Sequence, residues 1–208
     1  ELELWTWNEM EVPTLQRDGR YRQDKSVTYI YDIFSKKLTE VAPFTVDLLL
    51  PSGAENLNYV LYTDESPYKM QREWLDRLPF DIYSVNVHTG AKRLIGRSYR
   101  TAPKWSVNGK WAVMYDPIAQ VWNKFDGATG KVVNISDAIG YPMFVESYDK
   151  PAPAPAYGIA GWTADGNNVF LYDAYDWWKI DLTGERQPEC LTKGYGRKHG
   201  KSIRKMTS

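Results

Sequence analysis

The chain has 208 residues, 43% of them hydrophobic, which is enough to bury a substantial core in one domain or one repeat array. Lysine plus arginine and aspartate plus glutamate both number 26, so the formal net charge is zero. A chain without net charge has no global field to attract nucleic acid or an anionic membrane, and we expect neither as a partner.

The first part of the chain begins with a run that alternates like a strand, residues 2–7, and continues through a polar stretch without a clear period. Residues 29–33 and 38–41 then predict the outer hairpin of a first repeat unit. The run at 59–64 predicts the next inner strand, and residues 81–86 and 92–95, joined by Thr89-Gly90, predict a second outer hairpin.

The same pattern recurs further along the chain. Trp105 begins a segment in which Asn-Gly precedes an apolar run at 111–116, and Trp162, 57 positions later, begins one in which Asp-Gly precedes a run at 168–173. Asn-Gly and Asp-Gly supply the positive φ angles of tight turns, so each segment predicts a hairpin. A second hairpin follows in each unit, at 121–126 before Thr129-Gly130 and at 176–181 before Thr183-Gly184.

Four antiparallel strands every 40 to 60 residues are typical of propeller blades. The sequence therefore predicts an all-β fold, a partial β-propeller of about four four-stranded antiparallel blades. We predict a single propeller segment over 1–208, with approximate blades at 1–42, 43–97, 98–138 and 139–193. Residues 194–208 are predicted to contain the start of a further strand, opening at Lys201.

The single cysteine, Cys190, rules out an intrachain disulfide and metal sites built on several thiolates. No stretch approaches the roughly 18 apolar residues of a transmembrane helix, and no leader precedes Glu1. Because the chain starts with Glu rather than Met, we expect a processed protein or an excised segment, from which a targeting signal could have been cut. No metal and no cofactor are predicted.

A catalytic site is not evident in the sequence. The Gly-x-Ser-x-Gly motif that carries the nucleophile of an α/β-hydrolase is absent. The two histidines, His88 beside a predicted turn and His199 in a basic tail, lack a nearby serine or cysteine in a catalytic setting, and we interpret both as surface residues. No catalytic residue is therefore predicted in this chain.

Carboxylates recur at the ends of the predicted strands, where aspartate commonly accepts hydrogen bonds from backbone amides. We assign that role to Asp64, Asp116, Asp173 and Asp176. A glycosidase would need two facing carboxylates a few ångströms apart, a distance that the sequence does not give.

Two long insertions interrupt the repeat, at 65–78 and 141–157. In the first, Met70 and Trp74 stand at i and i+4 of a predicted short helical turn and are expected to anchor it to the propeller. In the second, prolines at alternate positions 151–155 favour an extended run that must lie on a surface. That run is either a rigid rim that contacts a substrate or neighbouring domain, or a stiff connector between blades. On the first interpretation the candidate binding residues are Glu146, Tyr148, Asp149 and Tyr157.

Four stretches resemble the N-terminal β-propeller of exported bacterial peptidases of the prolyl oligopeptidase family. They are DESPY at 64–68, DIYSVNVHTG at 81–90, DKPAPAPAYGIAGW at 149–162 and LTKGYGRK at 191–198. The resemblance runs from about residue 59 to 201. The Thr-Gly hairpin is shared by many propellers, whereas the proline-rich run leading into Gly-Ile-Ala-Gly-Trp is more specific.

The resemblance implies a propeller that caps a C-terminal α/β-hydrolase domain and limits which peptides reach its Ser-Asp-His triad. That domain is not among these 208 residues. The dipeptidyl-peptidase branch of the family holds the substrate's amino terminus with adjacent glutamates. No Glu-Glu pair occurs here, so no binding residue of that branch is carried over.

The leading hypothesis is a non-catalytic propeller segment of a periplasmic or secreted serine peptidase, which gates access of the peptide substrate and docks to the hydrolase domain. The alternative is a stand-alone propeller module whose aromatic-lined face binds a protein or a glycan. An incomplete set of blades leaves strand edges unpaired, so we also expect either an open arc or a homo-oligomer through open blade edges.

Overall fold

The computed structural model describes residues 27–43, 46–50, 58–72, 74–75 and 77–206. The chain divides into two compact units, which are described separately. Unit 1 comprises Glu1–Leu48 and Leu61–Arg100, and unit 2 comprises Leu49–Val60 and Thr101–Ser208. The strand predicted at 2–7 lies outside the described residues.

The regular structure of the described residues consists mainly of β-strands. Their bounds are β1 Thr28–Asp32, β2 Lys37–Ala42, β3 Asp47–Leu49, β4 Tyr59–Asp64, β5 Phe80–Asn86, β6 Lys92–Tyr99, β7 Lys104–Trp105, β8 Trp111–Asp116, β9 Val121–Asp126, β10 Val132–Asn134, β11 Ile159–Trp162, β12 Asn168–Tyr172, β13 Trp177–Asp181 and β14 Glu189–Cys190. Short 3-10 helices occupy Ser66–Gln71 and Asp137–Ile139, and a one-turn helix, α1, occupies Tyr195–His199.

The strands pair with their neighbours in sequence. In the described part of the chain β1 and β2 form a hairpin, and three four-stranded sheets follow in the orders β3-β4-β5-β6, β7-β8-β9-β10 and β11-β12-β13-β14. The following strand pairs are antiparallel: β1–β2, β5–β6, β7–β8, β8–β9, β9–β10, β11–β12, β12–β13 and β13–β14. Consecutive four-stranded meanders are the blades of a propeller, so the chain is an all-β partial β-propeller, as the repeat predicts.

The strand positions follow the sequence pattern closely. β8 and β9 have the bounds predicted from alternation and turn chemistry, and β12 and β13 differ from their predicted runs by one residue at one end. The Thr-Gly pairs close the predicted turns, with Gly90, Gly130 and Gly184 all at positive φ. Turn chemistry and period-2 patterning were therefore sufficient to locate these hairpins.

Unit 2 has a core between its two four-stranded sheets. Val113 and Tyr115 of β8 share one buried cluster with Val169 and Leu171 of β12, and Ile180 of β13 joins them. The positions alternate along each strand, so one face of each sheet is packed against the other sheet. Apolar side chains at these alternating positions make the two sheets hydrophobic on facing sides, and burying them stabilises the pair.

The other face of the β7–β10 sheet is also covered. Phe125, which is fully buried, packs edge to face against Tyr59 and Trp105, with ring centroids 6.2 Å apart in both pairs. The indole of Trp105 donates a hydrogen bond to the carbonyl of Leu49 at 3.1 Å. This sheet is therefore buried on both sides, which explains why four consecutive residues of β8 are buried.

In unit 1 the buried side chains concentrate on β4 and β5. Ile82 and Val85 are fully buried, and the rings of Tyr62 and Tyr83 stack with centroids 5.0 Å apart. Burial, assisted by the neighbouring Tyr83 ring, raises the pKa of Tyr62 to about 12. This tyrosine is therefore neutral over the physiological range and functions as a packing residue.

The first insertion forms the predicted helical turn at Ser66–Gln71, but the expectation that Met70 and Trp74 anchor it is wrong. Their side chains are 46% and 77% exposed. Tyr68 attaches the turn instead, because its hydroxyl donates a hydrogen bond to the buried carboxylate of Asp81. The expected pair requires one helix that contains both residues, whereas the 3-10 helix ends at Gln71 and Trp74 lies beyond it.

Among the described residues, no helix is both long enough and apolar enough to span a lipid bilayer.

Gly166 lies where the hairpin turns of the two neighbouring sheets of unit 2 approach each other. It has φ +69°, and a Cβ there would lie 2.6 Å from Asn108 Cγ and 2.8 Å from Asn108 N. Gly184 also has positive φ, but a Cβ there would meet only Lys124 Nζ at 3.9 Å. Backbone strain should cost each alanine variant about 1 kcal/mol, and the clash should cost Gly166→Ala at least about 1 kcal/mol more.

Chemical denaturation of Gly166→Ala beside the Gly184→Ala control measures this difference. Equal losses in the two variants would show that the turns are not in the close contact described.

Candidate functional site

The connections of an antiparallel meander alternate between the two ends of its sheet. In both sheets of unit 2, the turn after the second strand and the segment after the fourth therefore share one end. These connections are residues 117–120 and 135–158 for the first sheet, and 173–176 and 191–206 for the second. We call this end of the unit 2 sheets the insertion end, because it carries the proline-rich insertion.

The proline-rich insertion is folded back on itself and fastened to the core. The backbone of Val145 donates to Pro155 O at 2.9 Å, and that of Tyr157 donates to Met143 O at 3.2 Å. Met143 is buried in the core between the sheets. The hydroxyl of Tyr115 donates to Ala154 O at 3.2 Å, and burial raises the pKa of Tyr115 to about 12, so that donor keeps its proton. The insertion is thus a loop held against the core, on either interpretation of its role.

The four predicted binding residues occupy different parts of this loop. Glu146 and Asp149 are exposed, and Tyr148 is half-buried, its backbone N–H donating to Val145 O at 3.2 Å. Tyr157 is half-buried on the returning arm, with the guanidinium of Arg204 5.5 Å from its ring centroid. No side-chain hydrogen bond joins any two of these four residues, all of which lie in the described part of the chain. Their assignment as binding residues stays a prediction.

A buried carboxylate organises the neighbouring turn. Asp173 is fully buried, and its Oδ1 accepts hydrogen bonds from the backbone N–H groups of Tyr175 and Asp176, both at 2.6 Å. Its Oδ2 accepts from Trp178 Nε1 at 2.9 Å and from Arg197 at 3.0 Å. Burial alone would raise the pKa of this carboxyl, but the hydrogen bonds outweigh it and hold the pKa below its ordinary value. Asp173 is therefore ionised at neutral pH.

A second aspartate attaches the segment that follows β14. Asp176 is 2% exposed and accepts hydrogen bonds from the Thr192 hydroxyl at 2.6 Å and from the backbone of Gly196 and Arg197 at 2.9 and 3.1 Å. The turn role predicted for strand-end aspartates is confirmed here. Asp64 and Asp116 confirm it too, accepting from the backbone of Ser66 and of Ile118.

Two arginines lie against tyrosine rings at the insertion end. The guanidinium carbon of Arg197 is 3.9 Å from the ring centroid of Tyr141, and that of Arg204 is 4.7 Å from the ring centroid of Tyr172. Arg204 also donates to the carbonyl of Asp173 at 2.9 Å. Cation–π contacts of this kind contribute roughly 0.5 to 2 kcal/mol each. They join the insertion, the 173–176 turn and the final segment into one surface.

This cluster was not among the predicted site residues. Its arginines lie in the stretch 197–204, whose clustered cations are a visible sequence signal. The partners are tyrosines far from the arginines in sequence, Tyr141 for Arg197 and Tyr172 for Arg204, and only the fold brings them together. Where the sequence predicts a strand opening at Lys201, the backbone over 201–206 bonds to a turn instead: Ile203 N donates to Tyr175 O at 2.8 Å.

A small-molecule site in unit 2 receives less support. A cleft of about 180 Å³ lies in unit 2 beside β10 and the turn between β13 and β14, with Lys124, Asn134 and Asp181 in its lining. Ligand pockets usually enclose roughly 300 to 1,000 Å³. The ammonium of Lys124 is already bonded to the carbonyl of Leu182. Within the described residues, no group of three or more potential metal ligands comes together.

Comparisons with known proteins add little to this geometry. No family model and no curated protein matches the sequence. Among solved structures, the chain is similar to TolB from Acinetobacter baumannii, with 15% identity and a TM-score of 0.38 over 79% of this chain and 37% of that chain. It is also similar to the β-propeller domain of the Trilobed protease from Pyrococcus furiosus, with 14% identity and a TM-score of 0.36 over 70% of this chain and 42% of that chain. The chain thus spans about two fifths of the length of either structure, and similarity at this level says nothing about activity.

The charge on Asp173 should support the folded insertion end. Asp173→Asn keeps the shape but removes the charge that pairs with Arg197, and we expect it to lower the free energy of unfolding by about 2 kcal/mol at pH 7. Because the folded pKa is depressed, this contribution is present above the ordinary carboxyl pKa of 3.8 and is lost as the pH falls through the lower folded value. The variant should therefore lose less stability than the parent on acidification.

Urea unfolding at several pH values, with Asp137→Asn as the exposed control, measures this effect. The control should change stability by less than about 0.5 kcal/mol. A pH dependence that is identical in Asp173→Asn and the parent would contradict the assignment of an ionised, paired Asp173.

Proposed function

We propose that this chain is a non-catalytic β-propeller module whose insertion end contacts another macromolecule. The observation that carries the proposal is the held proline-rich loop, which places exposed side chains at the same end as an arginine–tyrosine cluster. Loops fixed on a rigid sheet scaffold are where binding residues concentrate. A shallow exposed surface of this kind fits a polypeptide better than a small molecule, which needs an enclosed pocket.

We further propose that the module belongs to a serine peptidase similar to the prolyl oligopeptidase family. In that arrangement it docks to an α/β-hydrolase domain and gates access of the peptide substrate. The support is the sequence resemblance, which includes the run at 149–162 that forms the returning arm of the held loop. Glu146, Tyr148, Asp149 and Tyr157 are then rim residues that meet the substrate or the hydrolase domain. A periplasmic or secreted location goes with the same resemblance.

A stand-alone binding module for a protein or glycan is the second candidate. The observation that favours it is the exposure of aromatic rings at the insertion end, where Tyr141 is 45% and Tyr195 is 54% exposed. Tyrosine rings supply large, rigid contact areas for protein interfaces and for stacking on sugars.

The two candidate functions differ in whether the full polypeptide that contains this chain also contains a serine hydrolase domain. We predict that a serine-directed fluorophosphonate probe labels that polypeptide at a residue outside 1–208, and that it cleaves short peptides while sparing folded proteins. Active-site labelling with mass spectrometry and a peptide-length series measure both. No labelling and no cleavage would overturn the peptidase proposal in favour of the stand-alone module.

We also propose a homo-oligomer that forms through open blade edges, because one described strand pair is not extended by further strands. Among the described residues, the sheet of β1 contains β2 and no other strand. An unpaired strand edge is a template for pairing with a second copy. Analytical ultracentrifugation of the full polypeptide over a range of concentrations should show a reversible larger species. A single monomeric species at all concentrations would contradict this.

A further inference from the structure

The segment after β14 carries a concentrated positive charge. Residues 190–206 contain no aspartate or glutamate, whereas the chain as a whole is neutral. We call residues 193–206 the basic strap. Its cations are Lys193, Arg197, Lys198, Lys201, Arg204 and Lys205.

Most of this charge is available to a partner. Lys193, Lys198, Lys201 and Lys205 are exposed. Within the described part of the chain, Arg197 is the one strap cation that forms an ion pair, with Asp173. No acidic side chain in the described part of the chain forms an ion pair with these four lysines.

The strap is held in a fixed path, unlike an ordinary solvated tail. The backbone of Ile203 forms two hydrogen bonds. Its N–H donates to Tyr175 O at 2.8 Å, and its carbonyl accepts from Trp177 Nε1 at 2.9 Å. Further along, the N–H of Lys205 donates to the hydroxyl of Tyr172 at 3.0 Å. A surface that is already ordered loses little conformational entropy when a ligand binds. The bonds therefore preorganise the backbone that carries the lysines.

Exposed apolar surface borders the lysines. Tyr195 within the strap is 54% exposed, and its ring centroid lies 4.3 Å from the ring centroid of His199. Leu191, just before the strap, is 40% exposed. Tyrosine is enriched in surfaces that bind polypeptides, and charges around such an aromatic contact orient the partner.

We propose that the basic strap is a docking surface for an acidic polypeptide segment. Charge complementarity selects the sign of the partner, and the bordering tyrosine and leucine side chains supply the apolar contact that a polypeptide uses. Nucleic-acid affinity rests on neutralising many phosphates, and a neutral chain whose excess cations are confined to one short segment offers little of that. The inference deepens the proposed function and rests on its first part, that the insertion end contacts another macromolecule; it does not depend on a hydrolase domain.

Fluorescence anisotropy with the full chain tests the proposal. The probe is a labelled peptide of about 12 alternating glutamate and tyrosine residues, and its counterpart replaces glutamate by lysine. The test variant is Lys198→Glu with Lys201→Glu, whose side chains make no hydrogen bond in the described structure. The control is Lys110→Glu with Lys131→Glu, which makes the same charge change on exposed turns at the opposite end of the β7–β10 sheet.

We expect the acidic probe to bind the parent, with affinity that falls as salt rises from about 50 to about 300 mM. The test variant should weaken binding at least about tenfold, and the control should change it less than about twofold. Equal weakening by both variants would show a net-charge effect and overturn the proposal. So would equal binding of the lysine counterpart, or tighter binding of a single-stranded oligonucleotide of similar length. Circular dichroism verifies that both variants are folded.

Discussion

The structure depends on the need to cover both faces of a four-stranded sheet. In unit 2 the β7–β10 sheet achieves this with Val113 and Tyr115 on one side and Phe125 on the other, each against apolar partners. Sheets that face one another so closely leave little space between their turns. This explains why a glycine, Gly166, stands where the side chain of Asn108 approaches the neighbouring hairpin.

The sheets, once packed, provide a scaffold on which polar interactions shape the insertion end. Asp173 and Asp176 are buried carboxylates whose oxygens are occupied by backbone, indole, hydroxyl and guanidinium donors. Because these donors come from both the turn and the segment after β14, the two aspartates connect parts of the chain more than fifteen positions apart. The ionised carboxylate of Asp173 fixes its turn more strongly than apolar contact alone, since its charge-assisted bonds are directional.

The sequence predicted the hairpins well because their information is local. Alternating apolar residues and a Gly at the turn fix a strand pair within about fifteen positions, as at 105–116 and 162–172. The functional surface was predicted only in part. The insertion at 141–157 stood out by its prolines, but the stacking of Arg197 on Tyr141 and of Arg204 on Tyr172 depends on tertiary proximity that no spacing encodes. The failed expectation for Met70 and Trp74 came from assuming a helix that continues to Trp74, whereas the 3-10 helix ends at Gln71.

The central claim is that the insertion end of unit 2 contacts another polypeptide. Hydrogen–deuterium exchange tests it most directly, by comparing the chain of 208 residues alone with the same residues inside the full polypeptide or bound to the acidic peptide. The account predicts slower exchange at 141–157 or at 193–206, with no change in the turns 106–110 and 182–188 at the opposite end. Protection of those opposite turns, with 141–157 and 193–206 unaffected, would contradict it.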